Sequence, residues 1–197
     1  MNKAVMLSIH PKYCEMIASG KKTVEIRKNY PQFGETCGVT PFKAYIYCTM
    51  PNTKDPKCYL EIHGPDGKCR KANGKVIGEF TCDQIEMLNN IFAGEPRYHQ
   101  PSIGDACLSM EEIEAYGKGK RLEGWHIMGL RIFEEPKKLE EFAKPCPMDH
   151  DCGNCPWYFP GIQDYDRCEP PCCGFWESDN SLITRPPQSW CYVEELQ

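Results

Sequence analysis

Gly20-Lys21-Lys22-Thr23-Val24-Glu25-Ile26-Arg27 combines the features of a helix end and a strand start. A glycine commonly follows the last turn of a helix, and the second half of the stretch alternates apolar and polar side chains as a strand does. Val24 and Ile26 point to one side, whereas Glu25 and Arg27 lie about 7 Å apart on the other. The stretch therefore predicts a helix-to-strand junction with one apolar and one polar strand face.

Short strands and a few short helices are predicted on both sides of this junction. The preceding helix begins at Pro11 and ends at Gly20, with Tyr13, Met16 and Ile17 on its inner face. Further strands are predicted at 5–9, 42–49, 75–82, 125–133 and 189–193, and helices after the Ser109-Met110-Glu111-Glu112 capping box and at 139–142. This order lacks regular strand–helix alternation and predicts an α+β domain built around a small mixed β-barrel.

Length and composition fit one globular domain that carries an insert. No stretch approaches the roughly 20 apolar residues that a membrane-spanning helix needs. The apolar run near the N-terminus superficially resembles a signal peptide, but it breaks after about six residues and no small-residue cleavage site follows. We therefore expect a cytoplasmic protein without a membrane partner.

The net charge of −5 is unevenly distributed. Residues 1–54 carry eight Lys/Arg and three Asp/Glu, which gives +5, and the rest of the chain carries fifteen and twenty-five, which gives −10. An acidic chain is a poor non-specific binder of nucleic acid, so any such binding requires a local basic surface in the N-terminal quarter.

The cysteines are also unevenly placed, with six of the fourteen between positions 146 and 173. In a reducing compartment, clustered cysteines more often hold a metal, whereas scattered ones are usually small buried hydrophobes. The spacing C-x5-C-x2-C-x12-C-x3-C-C suits tetrahedral thiolate coordination of zinc. The predicted zinc ligands are Cys146, Cys152, Cys155 and Cys168, with Cys172 as a substitute and His150 as a competitor.

A second cofactor is compatible with the same spacing. Cys-Pro-x4-Cys-Gly-x-Cys resembles the motif that holds a [4Fe–4S] cluster in certain RNA uracil methyltransferases, so this cluster is the alternative to zinc. Disulfides or metal-free packing also remain open. Because the insert is too short to bury a core of its own, we expect a structural role for the metal.

The polar face around Glu25 has two interpretations. A charged face turned to solvent is common on strands of antiparallel sheets. Alternatively, Arg27 and Glu25 offer a donor fork and an acceptor to one ligand, with Thr23 on the same face and Lys22 at the junction.

The segment Ser8-Ile9-His10-Pro11-Lys12-Tyr13, together with residues 17–27, resembles the opening of the ASCH domain, a relative of the PUA RNA-binding domain. The G-x-K-x-x-x-x-R pattern of that family corresponds here to Gly20, Lys22 and Arg27. Strands at 45–49 and 76–80 match the next two barrel strands of the family in order and spacing. The ending at 185–194 resembles phage- and prophage-associated bacterial members.

The resemblance implies a PUA-like mixed β-barrel with a few short helices and a metal-knuckle insert. Its barrel comprises residues 1–143 and 181–197. Residues 52–74 form a hairpin-like insertion, and residues 144–180 form the cysteine-rich insert, which could also dock a protein partner.

The resemblance further implies a polar cleft beside the helix–strand junction that binds RNA or a nucleotide-like ligand. Its predicted ligand-binding residues are Ser8, Lys12, Lys22, Thr23, Glu25, Arg27 and Trp190.

Some ASCH members are amidohydrolases acting on acetylated cytidine, in which a lysine, a threonine and a glutamate carry the chemistry. Lys22 and Glu79 match the lysine and the glutamate, but Glu25 stands where the nucleophilic threonine is expected. A carboxylate does not replace an activated hydroxyl. The primary prediction is therefore binding of RNA or a modified nucleoside, and the alternative is a small amidohydrolase or nuclease-like hydrolase that uses Lys22 and Glu79.

Overall fold

Short strands make up most of the fold, and its helices are few. The computed structural model describes residues 3–33, 40–51, 59–63, 68–88, 104–146 and 181–196. The strands are β1 (Lys3–Ile9), β2 (Val24–Arg27), β3 (Phe42–Cys48), β4 (Glu61–His63), β5 (Cys69–Lys71), β6 (Lys75–Cys82), β7 (Ile85–Met87), β8 (Glu123–His126), β9 (Met128–Lys137) and β10 (Trp190–Glu194). The helices are α1 (Pro11–Ala18), α2 (Met110–Gly117) and a 3-10 helix (Leu139–Glu141). This combination confirms the predicted α+β class.

The largest sheet contains five strands in the order β10-β1-β3-β6-β9. β1 and β3 run parallel, and every other neighbouring pair runs antiparallel. A parallel pair needs a crossover connection, and α1 and β2 lie within the one between β1 and β3. The sheet is therefore mixed, as the sequence predicted.

Alternation along the strands gives this sheet two apolar faces. The face that we call the front face packs against Cys14 and Ile17 of α1. Its strand residues include Val5, Leu7, Ile9, Ala44, Ile46 and Phe80. The opposite face, which we call the back face, includes Ala4, Met6, Tyr45, Tyr47, Phe133 and Val193. Consecutive side chains along one strand therefore lie on opposite faces of the sheet.

A smaller sheet, in the order β2-β8-β7, carries the strand part of the stretch 20–27. Val24 and Ile26 pack beneath α2 with Leu88, Ile113 and Leu122. The opposite face of β2 is buried as well, because all four β2 residues are buried. The interpretation of the Glu25–Arg27 face as a solvent-exposed surface is therefore wrong.

Both α-helices begin near where the sequence predicts. Cys14 and Ile17 are the buried residues of α1, so Cys14 takes the inner position assigned to Tyr13 and Met16, which are half-buried. The capping box before α2 is confirmed: Ser109 Oγ accepts from the Glu112 backbone N–H at 3.1 Å, and Glu112 Oε2 accepts from the Ser109 N–H at 2.8 Å.

The strand predicted at 125–133 is in fact two strands. β8 ends at His126 and β9 begins at Met128, because the chain leaves the small sheet and joins the large one. Ile127 lies between them and donates its backbone N–H to the Thr23 carbonyl at 2.9 Å. One run of alternating residues in the sequence therefore contributes a strand to each of the two sheets.

A closed barrel is not shown by the described part of the chain. There, the strands form a five-stranded sheet, a three-stranded sheet and the β4–β5 ladder, with no backbone ladder joining the first two. The observed architecture is thus two sheets that continue into one another at Ile127.

The predicted insertions are only partly described. β4 and β5 pair antiparallel within residues 52–74, whereas residues 147–180 lie outside the described residues. The domain boundaries at 144 and 180 stay predictions. Among the described helices, none has the length and apolar character needed to cross a membrane.

Candidate ligand-binding site

Lys22 is buried where β2 meets the helical turn at 104–107. Its side chain is 2 % exposed, and Nζ donates to the Ala106 carbonyl at 2.7 Å and to the Val24 carbonyl at 2.8 Å. Glu25 Oε2 lies 3.3 Å from the same nitrogen. An ammonium has three N–H groups, so two carbonyls and one carboxylate surround it fully. Lys22 therefore holds the site together and has little capacity left for a ligand.

Glu25 lies between two buried cations. Its Oε1 is 3.0 Å from Arg27 Nη2, and Oε2 faces Lys22. Arg27 Nη2 also donates to the Ser8 carbonyl at 2.9 Å, which connects β2 to the C-terminal end of β1. The cluster of Lys22, Glu25 and Arg27, which we call the charged triad, carries two positive charges and one negative charge. An uncompensated buried charge is costly, so the triad favours a polar or anionic partner.

Two buried donors beside the triad, Arg27 Nε and Trp125 Nε1, have no hydrogen-bond partner among the described residues. Glu25 Oε2 accepts no hydrogen bond there either, but Lys22 Nζ lies 3.3 Å from it. Trp125 lies directly opposite Glu25 in the β2–β8 ladder, so the two side chains leave the same face of the small sheet. Each unpaired buried group costs about 1–3 kcal/mol. Groups of this kind cluster where a ligand or an ordered water completes the hydrogen bonding.

Aromatic rings lie beside the triad, because Trp125 is directly opposite Glu25 in the β2–β8 ladder. Trp125 packs edge-on against Phe42 with ring centroids 5.3 Å apart and lies 6.1 Å from Trp190. Trp190 in turn packs on Tyr192 at 5.4 Å, and Tyr192 on Phe33 at 5.5 Å. These ring contacts are edge-on or tilted. The face of an aromatic side chain is a surface on which a planar base can stack.

Hydrogen bonds hold the segment 29–33 against β10. Trp190 Nε1 donates to Asn29 Oδ1 at 2.9 Å. The Tyr192 hydroxyl donates to the Gln32 carbonyl at 2.7 Å and accepts from the Gln32 N–H at 2.6 Å. The segment therefore lies beside the aromatic rings of β10.

Tyr13 and Lys12 lie at the rim. Lys12 Nζ is 3.4 Å from Glu112 Oε1, and both side chains are largely exposed. The Tyr13 ring lies 5.3 Å from Lys22 Nζ, and its hydroxyl donates to Glu112 at 3.3 Å. Burial and the nearby Glu112 and Glu25 carboxylates raise the pKa of Tyr13 to about 12. Tyr13 therefore remains a neutral donor at physiological pH, whereas Lys12 is largely engaged by Glu112.

The other predicted ligand-binding residues do not all lie beside the triad. Ser8 contributes its carbonyl to Arg27, while its hydroxyl donates to the Pro187 carbonyl at 2.6 Å. Thr23 is exposed, and its backbone pairs with Asp105 and Ile127. The structure thus brings Lys22, Glu25, Arg27 and Trp190 into one region, with Ser8 behind them and Thr23 and Lys12 at the surface.

Glu79 does not join Lys22, in contrast to the arrangement expected for a hydrolase. It pairs across the ladder with Tyr45, a back-face residue, and its Oε1 lies 3.1 Å from Arg131 Nη2. The neighbouring residue Phe80 faces the front. Strand alternation therefore places the Glu79 carboxylate on the opposite side of the sheet from α1 and the triad.

Of the predicted metal ligands, only Cys146 falls within the described residues. It is buried, and its backbone N–H donates to Glu194 Oε1 at 3.2 Å, which anchors the start of the insert on β10. Cys152, Cys155, Cys168, Cys172 and His150 lie outside the described residues. Within the described ranges, no group of three or more His, Cys, Asp or Glu side chains could hold a metal ion.

Comparison with known proteins identifies a domain family for part of this region. Residues 7–99 match the ASCH domain. The matched stretch is just under half of the 197 residues and contains the G-x-K-x-x-x-x-R pattern, so the predicted ASCH resemblance is supported there. No curated protein matches the chain.

The chain is also similar to solved structures of ASCH from Zymomonas mobilis. The ASCH structure itself has 18 % sequence identity and a TM-score of 0.45, covering 98 % of this chain and 88 % of that one. A tyrosine-to-phenylalanine mutant of the same protein has 20 % identity and a TM-score of 0.45, covering 71 % and 78 % respectively.

Trp125 is the site residue that sequence reasoning missed. It lies outside the ASCH match, within a run that was predicted to form one long strand. Only the pairing of β2 with β8, which are far apart in sequence, places it opposite Glu25. The signal available in the sequence was a tryptophan on a strand that pairs with a strand carrying polar residues.

Proposed function

We propose that the cleft formed by the charged triad and the neighbouring aromatic rings binds RNA or a modified nucleoside. The observation that carries this proposal is the pair of unpaired buried donors, Arg27 Nε and Trp125 Nε1, beside a cluster of aromatic rings. Polar groups supply hydrogen bonds to a base, and aromatic faces supply stacking. The ASCH match supports the proposal, because ASCH is generally an RNA-binding, PUA-like domain.

Binding is favoured over hydrolysis by the surroundings of Lys22. A general base needs a free lone pair close to the proton it removes. Lys22 is instead held by two carbonyls and Glu25, and Glu79 lies on the back face. Nothing in the described residues favours the amidohydrolase or nuclease-like alternative.

Replacing Arg27 tests the proposed site. Arg27→Lys keeps the charge but removes the Nε donor and the planar fork, so we expect single-stranded RNA to bind about tenfold more weakly. Fluorescence anisotropy with a labelled single-stranded RNA, at fixed salt, measures the dissociation constant. Salt must be fixed because phosphate contacts make affinity strongly dependent on it.

Arg131→Lys is the matched control, since Arg131 pairs with Glu79 on the back face and is largely exposed. We expect its affinity to equal that of the wild type. Equal affinity of Arg27→Lys and wild type, or no RNA binding by any form, would contradict the proposal.

We also propose that the cysteine-rich insert holds one structural zinc ion, bound by Cys146, Cys152, Cys155 and Cys168. Thiolate spacing supports zinc, and the Glu194 contact supports a fixed position for Cys146. Bound zinc would supply the stabilisation that a small insert lacks. The [4Fe–4S] cluster stays the alternative.

Metal analysis and an absorption spectrum after anaerobic purification test this assignment. We expect about one zinc per chain in a colourless protein, and its loss in Cys152→Ser. Cys69→Ser, at an exposed cysteine of β5, is the control and should retain the metal. A brown protein containing iron and sulfide would instead support the [4Fe–4S] cluster.

The prophage origin, the limits of the insert and its docking of a protein partner stay predictions.

A further inference from the structure

The turn between α2 and β8 is short and carries three cations. α2 ends at Gly117, and Lys118 and Gly119 follow with φ values of +51° and +73°. The Lys120 N–H donates to the Gly117 carbonyl at 3.0 Å, which closes the turn. Lys118, Lys120 and Arg121 are exposed. Because the turn is held between the end of α2 and the start of β8, the three cations are grouped at one end of the small sheet.

A fourth cation reaches the same place from β2. Lys28 follows Arg27, the last residue of β2, and is exposed. Its Nζ lies 4.7 Å from the centre of the Tyr116 ring, which belongs to the last turn of α2. We call the four cations the basic tip: Lys28, Lys118, Lys120 and Arg121. Only Lys28 belongs to the N-terminal quarter of the chain, where the sequence predicted a basic surface.

Two acidic residues flank the basic tip along the chain. Glu123 forms an ion pair with Arg121 and is buried, while the Arg121 side chain stays 45 % exposed. Glu114 lies one helical turn before Lys118. The four cations and these two carboxylates give a local charge of +2, on a chain whose net charge is −5. The C-terminus of a helix favours nearby cations, which helps to keep these like charges together.

The basic tip continues from the charged triad. Arg27 lies opposite Glu123 in the β2–β8 ladder, so Lys28 is one residue beyond this pair and Arg121 is two. With a rise of about 3.3 Å per residue, both lie within roughly 7 Å of the pair along the strands. An RNA chain that is bound at the triad and leaves over this end of the small sheet therefore passes the basic tip.

We propose that the basic tip binds phosphates of the RNA chain that flanks the nucleotide held at the charged triad. This inference rests on the proposed function and adds a surface that supplies affinity without reading the base sequence. The cations are exposed and come from two segments. A polyanion that meets several of them at once is therefore favoured over a single free phosphate, whose attraction to exposed charges salt screens. Three of the four cations lie outside the ASCH match, so the surface is a feature of this chain.

The salt dependence of RNA binding tests the proposal. Lys118→Gln/Lys120→Gln removes two exposed positive charges that lie outside the triad. Fluorescence anisotropy with a labelled single-stranded RNA of about 12 nucleotides gives the dissociation constant from about 50 to 200 mM salt. Each phosphate contact contributes about 0.7 to the slope of log affinity against log salt, so we expect the slope to fall by about 1.4. At the lowest salt, binding should be at least tenfold weaker.

Lys71→Gln/Lys138→Gln is the matched control. It removes the same charge at exposed positions on β5 and before the 3-10 helix. We expect it to keep the wild-type slope, and thermal melting confirms that both double variants are folded. If both pairs lower the slope equally, the effect is one of net charge and the inference is wrong.

Further outcomes separate this inference from the proposed function. An unchanged slope in Lys118→Gln/Lys120→Gln, together with weaker binding by Arg27→Lys, overturns the inference and leaves the proposed function standing. Chloride is also exchanged for inorganic phosphate at equal ionic strength. If phosphate displaces RNA from the wild type but not from the double variant, the basic tip binds free phosphate and the inference is again wrong. If the wild type binds no RNA, the proposed function itself fails.

Discussion

Glu25→Gln should destabilise the protein by about 3–5 kcal/mol, because it leaves Lys22 and Arg27 buried without their shared counter-charge. In a domain of this size, each kcal/mol lowers the melting temperature by about 2–4 °C. We therefore expect a decrease of roughly 6–20 °C by differential scanning calorimetry. Such a loss would show that Glu25 is required for the fold as well as for the site.

Glu79→Gln is the matched control for this variant. Glu79 also pairs with an arginine, but the side chain of Arg131 is 69 % exposed. Exposed ion pairs contribute about 0–1 kcal/mol, so the melting temperature should fall by no more than about 4 °C. Equal decreases in the two variants would mean that the triad is solvated in solution.

Gly78→Ala should also destabilise the protein strongly. A Cβ at position 78 would lie 2.5 Å from the Arg131 carbonyl oxygen and 3.1 Å from Ile132 Cα, both on β9. Since these are backbone atoms, the edge strand β9 would have to move away from β6. We expect a loss of about 3 kcal/mol in the free energy of unfolding, at the upper end of the usual overpacking cost.

Gly104→Ala is the control for backbone crowding, because a Cβ there would have no heavy atom of the described residues within 4 Å, apart from its own chain neighbours and helix backbone. Urea denaturation should give a free energy of unfolding within about 1 kcal/mol of the wild type, since alanine favours helical conformation. Wild-type stability of Gly78→Ala would show that β6 and β9 are not packed as closely as described.

The elements that the sequence predicted well are those whose signal is local. Alternation at 24–27 located β2 and separated Val24 from Glu25, and the Ser109–Glu112 pattern located the start of α2. Both signals come from residues that are close together in the sequence, within one helical turn or a few strand positions.

What the sequence did not predict depends on distant pairing. Burial of both faces of β2 follows from its position beside β8 and below α2, and the division at Ile127 follows from a change of partner strand. Glu79 matched a family position, yet strand alternation sends its side chain to the back face. For the same reason, the role of Trp125 could not be read without the β2–β8 register.

The burial of the triad also changes the interpretation of the family pattern. Gly20 has a φ of +72°, which allows the chain to turn from α1 toward β2. Lys22 then fixes that turn to residues 104–107, and Arg27 reaches the carbonyl of Ser8. We infer that the lysine of the G-x-K-x-x-x-x-R pattern mainly positions the site in this chain, whereas Arg27 contacts the ligand.

The most direct test of the binding site is a two-dimensional NMR titration that follows the tryptophan indole N–H signals. The chain has four tryptophans, and each gives one indole signal that can be assigned by substitution. On addition of a short single-stranded RNA, we predict that the signals of Trp125 and Trp190 shift strongly and saturate together. Shifts confined to Trp157 and Trp176, with Trp125 and Trp190 unchanged, would place RNA binding in the insert and contradict binding beside the charged triad.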